Sequence, residues 1–228
     1  MPAHSPIIAV LTGDLVLSRK AGTAATELAM QALAQSARDL SDIADADTRF
    51  TRFRGDGWQL VLGRPGWALR ACLILLADLR ASGAGIETRI SVGIGRHDSL
   101  GTKDLSDASG PAFFVAGENL ERISKYRRLM LAETQTKDET GKNLRKAIFD
   151  LVDGQTSQWT KAQAEAVAIW LRQGQMTDAR HEPTTQKDIA KQIGITRQAA
   201  QTRLAGAKSW TFESALTCFE HLDWEATS

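Results

Sequence analysis

Two aspartates lie beside glycines in the first quarter of the chain, and together they could bind cations. Asp14 ends an apolar run that begins at Ile7, and Asp56 lies in the turn Gly55-Asp56-Gly57. A carboxylate at a strand end and another at a hairpin tip can meet on neighbouring strands of one sheet. Such a pair is what a two-metal phosphoryl-transfer site requires, with the cations held roughly 3.5–4 Å apart. The alternative is that both aspartates are turn residues, because Gly-Asp and Asp-Gly are common loop formers.

A second candidate site lies in residues 185–204, which have the pattern of two short helices joined by a tight turn. Thr185 and Thr196 are expected to cap the two helices, and Gly194 permits a left-handed turn between them. The pattern is typical of a helix-turn-helix, whose second helix enters the major groove of double-stranded DNA. Residues 184–208 hold five basic residues and one acid in a chain of net charge +1. The alternative is a helical hairpin used for dimerisation.

The predicted DNA-binding side chains belong to two groups, those that face base edges and those that supply positive charge near phosphates. The first group is Arg197, Gln198, Gln201 and Thr202, and the second is Lys187, Lys191, Arg203 and Lys208.

The composition is that of a folded protein without a global affinity for nucleic acid or membrane. The 228 residues are 43% hydrophobic and 24% charged, which suits two domains. Two cysteines, far apart in sequence, favour a reducing cytoplasm over a disulfide framework. The N-terminus lacks the order of a signal peptide, and no apolar stretch is long enough to cross a bilayer. We therefore expect a cytoplasmic protein with no membrane partner.

Periodicity predicts the order β-α-β-β-α-β, followed by a further helix and strand. The predicted elements are a strand at 7–12, a helix at 25–40, hairpin strands at 47–54 and 57–62, a helix from Pro65 to Leu79, a strand at 86–94, a helix at 112–124 and an edge strand at 129–132. This order favours a split-βαβ, ferredoxin-like α+β domain, with an antiparallel sheet and helices on one face.

Composition changes after Ala132 and predicts a division of the chain into three parts. Residues 1–135 would form the α+β domain, 136–158 a polar connector and 159–228 an all-α helix-turn-helix domain. Within the last part, Thr160 and Gln163 are expected to form a capping box at the start of a helix.

Four motifs, in order along the chain, carry a family resemblance. They are Thr12-Gly13-Asp14-Leu15-Val16-Leu17-Ser18-Arg19, Arg54-Gly55-Asp56-Gly57-Trp58-Gln59, Arg89-Ile90-Ser91-Val92-Gly93-Ile94-Gly95 and Gly110-Pro111-Ala112-Phe113. Together with the C-terminal helix pair, they resemble SatD-type proteins. The N-terminal part is also similar, more remotely, to class III nucleotidyl cyclases and to diguanylate cyclase palm domains.

The resemblance implies a nucleotidyl-cyclase-type palm that binds a nucleoside triphosphate with Mg²⁺ or Mn²⁺. Asp14 and Asp56 match the metal-binding, catalytic aspartates, and the carbonyl of Leu15 would be a further ligand. The loop Leu15–Lys20 would cradle the triphosphate, with Ser18 in the loop and Arg19 or Lys20 supplying positive charge.

One departure from the cyclase pattern bears on activity. Class III cyclases carry an asparagine and an arginine where this chain has Phe114 and Glu118, and neither replacement can steady a developing negative charge. The metal-binding pair is kept while these groups are not, which favours nucleotide binding over cyclase activity.

The favoured hypothesis is a DNA-binding regulator, expected to be a homodimer, whose cyclase-like domain binds Mg-NTP and modulates the helix-turn-helix. Two alternatives stay open. One is an active nucleotidyl cyclase or nucleotidyltransferase that makes a second messenger. The other is a DNA-binding protein whose N-terminal domain serves only for dimerisation.

Overall fold

A computed structural model describes residues 5–53, 55–102, 104–134, 136–172 and 185–226. Arg54, part of the second motif, therefore lies outside the described residues. The described chain is a mixed α+β structure in which one five-stranded sheet is packed between helices.

The sheet has the strand order β2-β3-β1-β4-β5. The strands are β1 (Ile8–Val16), β2 (Thr48–Arg52), β3 (Gly57–Leu62), β4 (Glu87–Gly95) and β5 (Leu129–Glu133). Neighbouring strands are antiparallel except β4 and β5, which run parallel. The sheet is thus mixed, and the expectation of an antiparallel sheet is wrong at its β5 edge. The chain enters β5 from α4, and a helical crossover of this kind returns it parallel to β4.

The helices of the described residues differ from the expected ones mainly at their ends. They are α1 (Ser18–Ala21), α2 (Thr23–Ala44), α3 (Ala68–Ala81), α4 (Pro111–Arg122), α5 (Glu139–Thr156), α6 (Lys161–Leu171), α7 (Gln186–Ile193), α8 (Arg197–Gly206) and α9 (Trp210–His221). Short 3₁₀ turns occupy Pro65–Trp67 and Leu105–Asp107.

Helices cover both faces of the sheet, which corrects the expectation of helices on one face only. Ala9 and Leu11 of β1 belong to a large core that includes residues of α2 and α3. Val10 points the other way and packs with Ala112 and Ala116 of α4 in a smaller core. Alternate residues of a strand face opposite sides of the sheet, so the apolar run of β1 is buried on both.

Strand β1 continues past Gly13, so Asp14 lies within the strand and not at its end. Its pairing with β4 runs to Val16, opposite Glu87. The loop expected over Leu15–Lys20 is therefore wrong, because two strand residues and helix α1 occupy that stretch. Gly13 does not end the strand. A side chain at this position would overlap the ring of Trp58, so the glycine makes room for that indole.

The large core runs across both of the expected domain boundaries. Phe149 of α5, Val167 of α6 and Phe219 of α9 belong to the same buried cluster as Leu73 of α3. The expected connector 136–158 is mostly helix α5, and α6 packs extensively on α3. The division into separate domains stays a prediction.

The predicted helix caps are confirmed at three helix starts. Thr160 and Gln163 form a capping box at α6, and Thr185 forms one with Asp188 at α7. Thr196 caps α8 by accepting a hydrogen bond from the backbone N–H of Ala199. Gly194 ends α7 in the left-handed conformation, with φ 76°, as its sequence position predicts.

Among the described residues, no helix combines the length and the apolar composition that crossing a bilayer would need.

Candidate functional site

Asp14 is engaged by an arginine from the neighbouring strand. Asp14 of β1 stands directly opposite Arg89 of β4 in the antiparallel register. The Nε of Arg89 donates to Oδ1 of Asp14 at 2.8 Å, and its Nη2 donates to Oδ2. Both side chains are partly exposed, Arg89 at 31% and Asp14 at 26%. A bidentate arginine–carboxylate pair of this kind is among the strongest charge-assisted contacts in proteins.

Asp56 is held close to the end of β1 by two hydrogen bonds. Its carbonyl oxygen accepts the backbone N–H of Leu15 at 3.1 Å. Its Oδ2 accepts the hydroxyl of Ser18, from the first residue of α1, at 2.5 Å. These two hydrogen bonds connect the hairpin turn to the β1–α1 junction.

The two aspartates act on one arginine. The pKa of Arg89 is raised above its usual value, chiefly by its hydrogen bonds to Asp14. Desolvation opposes this rise, and the negative charges of Asp14 and Asp56 add smaller increases. Asp56 is thus close enough for its charge to be felt at the guanidinium. One positive and two negative charges leave this group with a net negative charge.

As arranged, these residues do not fit a resident cation. Both oxygens of Asp14 face the guanidinium of Arg89, and one oxygen of Asp56 already accepts a hydrogen bond. Within the described part of the chain, no cluster of three or more histidine, cysteine, aspartate or glutamate side chains could hold a metal ion. The guanidinium occupies the position at Asp14 that a cation would need.

A cavity of about 290 Å³ opens beside Asp56. Its lining comes from the α1–α2 region, from the end of β2 and from the hairpin turn: Ser18, Arg19, Gly22, Thr23, Thr26, Glu27, Arg52, Gly55 and Asp56. Arg52 donates to both oxygens of Glu27, at 2.8 and 2.7 Å, whereas Arg19 is exposed. The lining holds two arginines and two acids, so its charges balance, and it includes the hydroxyl-bearing residues Ser18, Thr23 and Thr26.

The structure brings some of the predicted ligand residues together and leaves others apart. Asp56, Ser18 and Arg19 line the cavity, while Lys20 is exposed and Asp14 and Leu15 lie outside the lining. Arg52 and Glu27 also belong to it, and sequence analysis did not single them out. Arg89 was missed as the partner of Asp14 because the contact depends on the register between β1 and β4.

The side chains at positions 114 and 118, which were expected to match the cyclase asparagine and arginine, lie on the surface of α4. Phe114 of α4 is 64% exposed. Glu118, one turn further on, pairs with Arg122 at 3.6 Å on the helix surface. Neither residue is positioned to supply a positive charge to the cavity.

Helices α7 and α8 present a polar surface that is separate from the sheet site. Ile189 and Ala190 of α7 and Ala200 and Leu204 of α8 are buried in the core. The exposed predicted residues are Lys187, Lys191, Arg197, Gln198, Gln201, Thr202 and Lys208. The buried and exposed sets lie on opposite sides of the helix pair, so the side chains of this basic and amide-rich surface do not pack in the core.

Arg203 differs from the other predicted DNA-binding residues. Its Nη1 contacts Oε2 of Glu165 on α6 at 2.9 Å, and the side chain is 25% exposed. Its guanidinium therefore connects α8 to α6 and is oriented into the protein.

Comparisons with known proteins add little to this geometry. The chain matches no protein-family model, and no curated protein sequence matches it. Seventeen chains of solved structures match it in structure. One is a bacterial light-regulated adenylyl cyclase, 16% identical over 55% of this chain and 75% of the cyclase chain, with a TM-score of 0.33. At that TM-score the likeness carries no argument about function, and the resemblance to SatD-type proteins stays a prediction.

Proposed function

We propose that this protein is a DNA-binding regulator whose α+β part binds the polyphosphate of a nucleotide. DNA binding is assigned to the α7–α8 pair, and the nucleotide to the cavity beside Asp56. The single observation that carries the proposal is the exposed, basic and amide-rich face of α8, set on a capped helix pair with a left-handed glycine between the helices.

Both the arrangement of α7 and α8 and the side chains that they expose support a helix-turn-helix. The first turn of α8 contains Arg197 and Gln198, both exposed, and exposed Gln201 and Thr202 follow one turn later. Side chains at the N-terminal end of a recognition helix reach base edges in the major groove. Arginine and glutamine are suited to bidentate contacts with guanine and adenine. Lys187 and Lys191, on the preceding helix, provide charge for phosphates.

The cavity beside Asp56 supports the nucleotide half of the proposal. Arg19 and the hydroxyl of Thr23 can donate to phosphate oxygens, whereas the hydroxyls of Ser18 and Thr26 already donate to Asp56 and to the carbonyl of Gly22. The strand order β2-β3-β1-β4 and its antiparallel pairing agree with a split-βαβ palm. In this proposal Mg²⁺ arrives as the companion of the nucleotide, because the aspartates do not fit a resident ion. A homodimer in the cytoplasm is part of the proposal, since paired helix-turn-helix units read two-fold operators.

The DNA half is tested by selecting sequences from a random double-stranded library and measuring affinity for the selected site. Arg197→Ala should lower the affinity for the selected site about tenfold or more and relax its sequence preference. Lys191→Ala should weaken all sequences alike and reduce the salt dependence by about one phosphate contact. Binding that is absent, or independent of salt, would favour the dimerisation alternative for this helix pair.

The nucleotide half is tested by calorimetric titration of the full chain with non-hydrolysable nucleoside triphosphates in the presence of Mg²⁺. Binding should be lost in the double variant Asp14→Asn with Asp56→Asn, whose circular dichroism should match that of the unchanged protein. Equal affinities of the two proteins would exclude the aspartate pair from the site. Incubation with the four nucleotides, followed by mass spectrometry, separates binding from turnover.

A further inference from the structure

Helix α5 buries one side in the core and carries an apolar stripe on the other. Phe149 lies on the buried side. Leu144 and Leu151, two helical turns apart on the outer side, are 62% and 76% exposed. Ala147 and Gly154, each three positions after a leucine, are exposed on the same side. These four outer residues form the α5 stripe, which faces solvent.

Exposed apolar side chains are concentrated around this stripe. The described residues expose seven large hydrophobic side chains, and two of them are the leucines of the stripe. Tyr126, also exposed, directly precedes the arginine that pairs with Asp150 of α5. Trp210, another exposed residue, directly precedes Thr211, whose hydroxyl accepts a hydrogen bond from Gln155 at 2.7 Å. A concentration of exposed apolar side chains within a polar surface marks an interaction surface.

Gly154 is not required by the fold of its own chain. A Cβ at this position would meet no described atom within 4 Å, and the backbone there is not left-handed. A glycine inside a helix makes that helix less stable than alanine would. A second helix packed on the stripe would account for the glycine, because the distance between packed helices depends on the size of the side chains at the contact.

The pattern of the stripe is complementary to its own reverse. Along α5 its residues alternate between large and small, at spacings of three, four and three positions. A second copy of the helix can run antiparallel to the first about a two-fold axis at the level of Phe149. Leu144 then lies opposite Gly154 of the second copy. Leu151 lies opposite Ala147 in the same way, and the axis repeats both contacts, so that each leucine fills the groove at a small residue. A parallel pair would instead set leucine against leucine.

The charges beside the stripe also favour the antiparallel arrangement. Lys146 and Asp150 are exposed, one turn apart on α5. The two-fold axis brings Lys146 within a turn of Asp150 of the second copy, where it joins the ion pair that Asp150 makes with Arg127. Lys142 pairs with Glu139 at the start of the helix. A parallel arrangement would set like charges at the same level and align the two helix dipoles.

From this pattern we infer that α5 is the self-association surface of the protein: two copies pair through the α5 stripe, antiparallel about a two-fold axis. The interface is isologous, since each copy contributes the same residues. Gln155 bonds α5 to the carbonyls of Ala207 and Lys208, directly after α8, so the same axis relates the two α7–α8 pairs. The inference rests on the homodimer of the proposed function and assigns its interface, and it does not require that α8 bind DNA.

The test is sedimentation equilibrium of the full chain, which gives the dissociation constant of the dimer. Leu151→Ala empties the groove at Ala147 of the second copy, and Ala147→Leu sets two leucines in one place. Each change occurs twice in the dimer and should raise the dissociation constant at least about tenfold. The double variant, which exchanges large and small, should return it to within about threefold of the unchanged protein.

Two further variants separate pairing from effects inside one chain. Gly154→Leu should raise the dissociation constant at least about tenfold by overpacking, although leucine is the better helix former. Phe114→Ala is the matched control, because Phe114 is 64% exposed on a different helix, α4. As a surface substitution away from the interface, it should change the dissociation constant less than about threefold.

The possible failures are distinguishable. A dissociation constant that is unchanged in Leu151→Ala, or that falls in Ala147→Leu as a parallel pair requires, would overturn the α5 interface and leave the homodimer in place. A chain that stays monomeric at every concentration would overturn both, and the stripe would then serve a different protein. DNA selection and the nucleotide titration test the rest of the proposed function independently of either result.

Discussion

The ring of Trp58 on β3 lies directly over the Cα of Gly13 on β1, its partner in the antiparallel register. Trp58 is 1% exposed, and its indole N–H is bonded to Thr88 on β4. A Cβ on Gly13 would stand 2.5 Å from the backbone oxygen of Arg89 and closer still to the indole. The strand segment that carries Asp14 therefore depends on the absence of a side chain at position 13.

Gly13→Ala should destabilise the protein. The added methyl overlaps both a buried ring and a backbone oxygen, so the strands must move apart or the indole must lose its bond to Thr88. Overpacking of this kind costs about 1–3 kcal/mol in the free energy of unfolding, measurable by urea denaturation.

The matched control is Gly117→Ala in helix α4, where a Cβ meets no atom within 4 Å. Alanine in place of a glycine inside a helix should raise the free energy of unfolding by about 0.5–1 kcal/mol. If both variants were equally stable, Gly13 would not be a packing residue, and its role in the strand would have to be sought in the chain's conformational freedom.

Local sequence patterns predict the strands and helix starts, but they do not predict the structure at Gly13 and Asp14. The alternation of Ile90, Val92 and Ile94 predicts strand β4, and the threonines 160, 185 and 196 predict helix starts, because these patterns are local. From its immediate neighbours alone, the pair Gly13-Asp14 predicts a turn. Only a tryptophan 45 positions along the sequence, brought over β1 by the β1–β3 pairing, explains the glycine.

The pairing of Asp14 with Arg89 shows the same limit within the candidate site. Sequence analysis predicts both strands, but the residue opposite Asp14 depends on the register of two strands that are far apart in the chain. A slip of one residue would place Arg89 on the opposite face of the sheet, which carries the large core. The parallel direction of β5 and the position of α4 on the second face depend likewise on how the chain returns after β4.

Glu220→Ala should destabilise the sheet and the C-terminal helices together. Nε of Arg70 on α3 contacts Oε1 of Glu220 on α9 at 2.5 Å, with side-chain exposures of only 9% and 4%. Removing the carboxylate breaks this buried ion pair while Nη1 of Arg70 keeps its hydrogen bond to the carbonyl of Leu171, and the loss of one buried hydrogen-bond partner should cost about 1–3 kcal/mol. Thermal unfolding followed by circular dichroism should show one transition, shifted to lower temperature.

Glu213→Ala is the control, because Glu213 is an exposed acid in the first turn of the same helix. Its effect should stay within about 0.5–1 kcal/mol, the size of a helix-dipole contact. Two separate transitions in Glu220→Ala, with only one of them shifted, would show that residues 159–228 form a domain that unfolds independently.

The start of α7 should depend on pH through Asp188. Hydrogen bonds from the hydroxyl and the backbone N–H of Thr185 lower the pKa of the Asp188 carboxyl below its usual value. A carboxyl whose pKa is lowered by folding stabilises the fold above its unfolded pKa of about 3.9, and this contribution is lost as the pH falls through the folded pKa.

The measurement is an NMR titration of the Asp188 carboxyl between about pH 2 and pH 7, in a range set by that reference pKa. Thr185→Val removes the hydroxyl donor and should raise the pKa of Asp188 toward its usual value. A pKa that is the same in both proteins would show that the capping box does not form in solution.

Arg203→Ala and Arg197→Ala should separate stability from DNA binding on the same helix. Arg203 pairs with Glu165 of α6 at 2.9 Å, whereas Arg197 is exposed at the start of α8. Loss of the partly exposed ion pair should cost about 0.5–1 kcal/mol, so Arg203→Ala should lower the melting temperature by a few degrees. Its affinity for the selected DNA, measured at a temperature where it is folded, should change less than about threefold.

Arg197→Ala should behave in the opposite way, with an unchanged melting temperature and at least about tenfold weaker binding, because a bidentate base contact is worth about 1–3 kcal/mol. Glu165→Gln completes the comparison. It breaks the same ion pair from the α6 side, far from the polar face of α8, and should reproduce the stability change of Arg203→Ala without weakening DNA binding. If Glu165→Gln left affinity intact while Arg203→Ala abolished it, Arg203 would have to leave its ion pair and contact DNA directly.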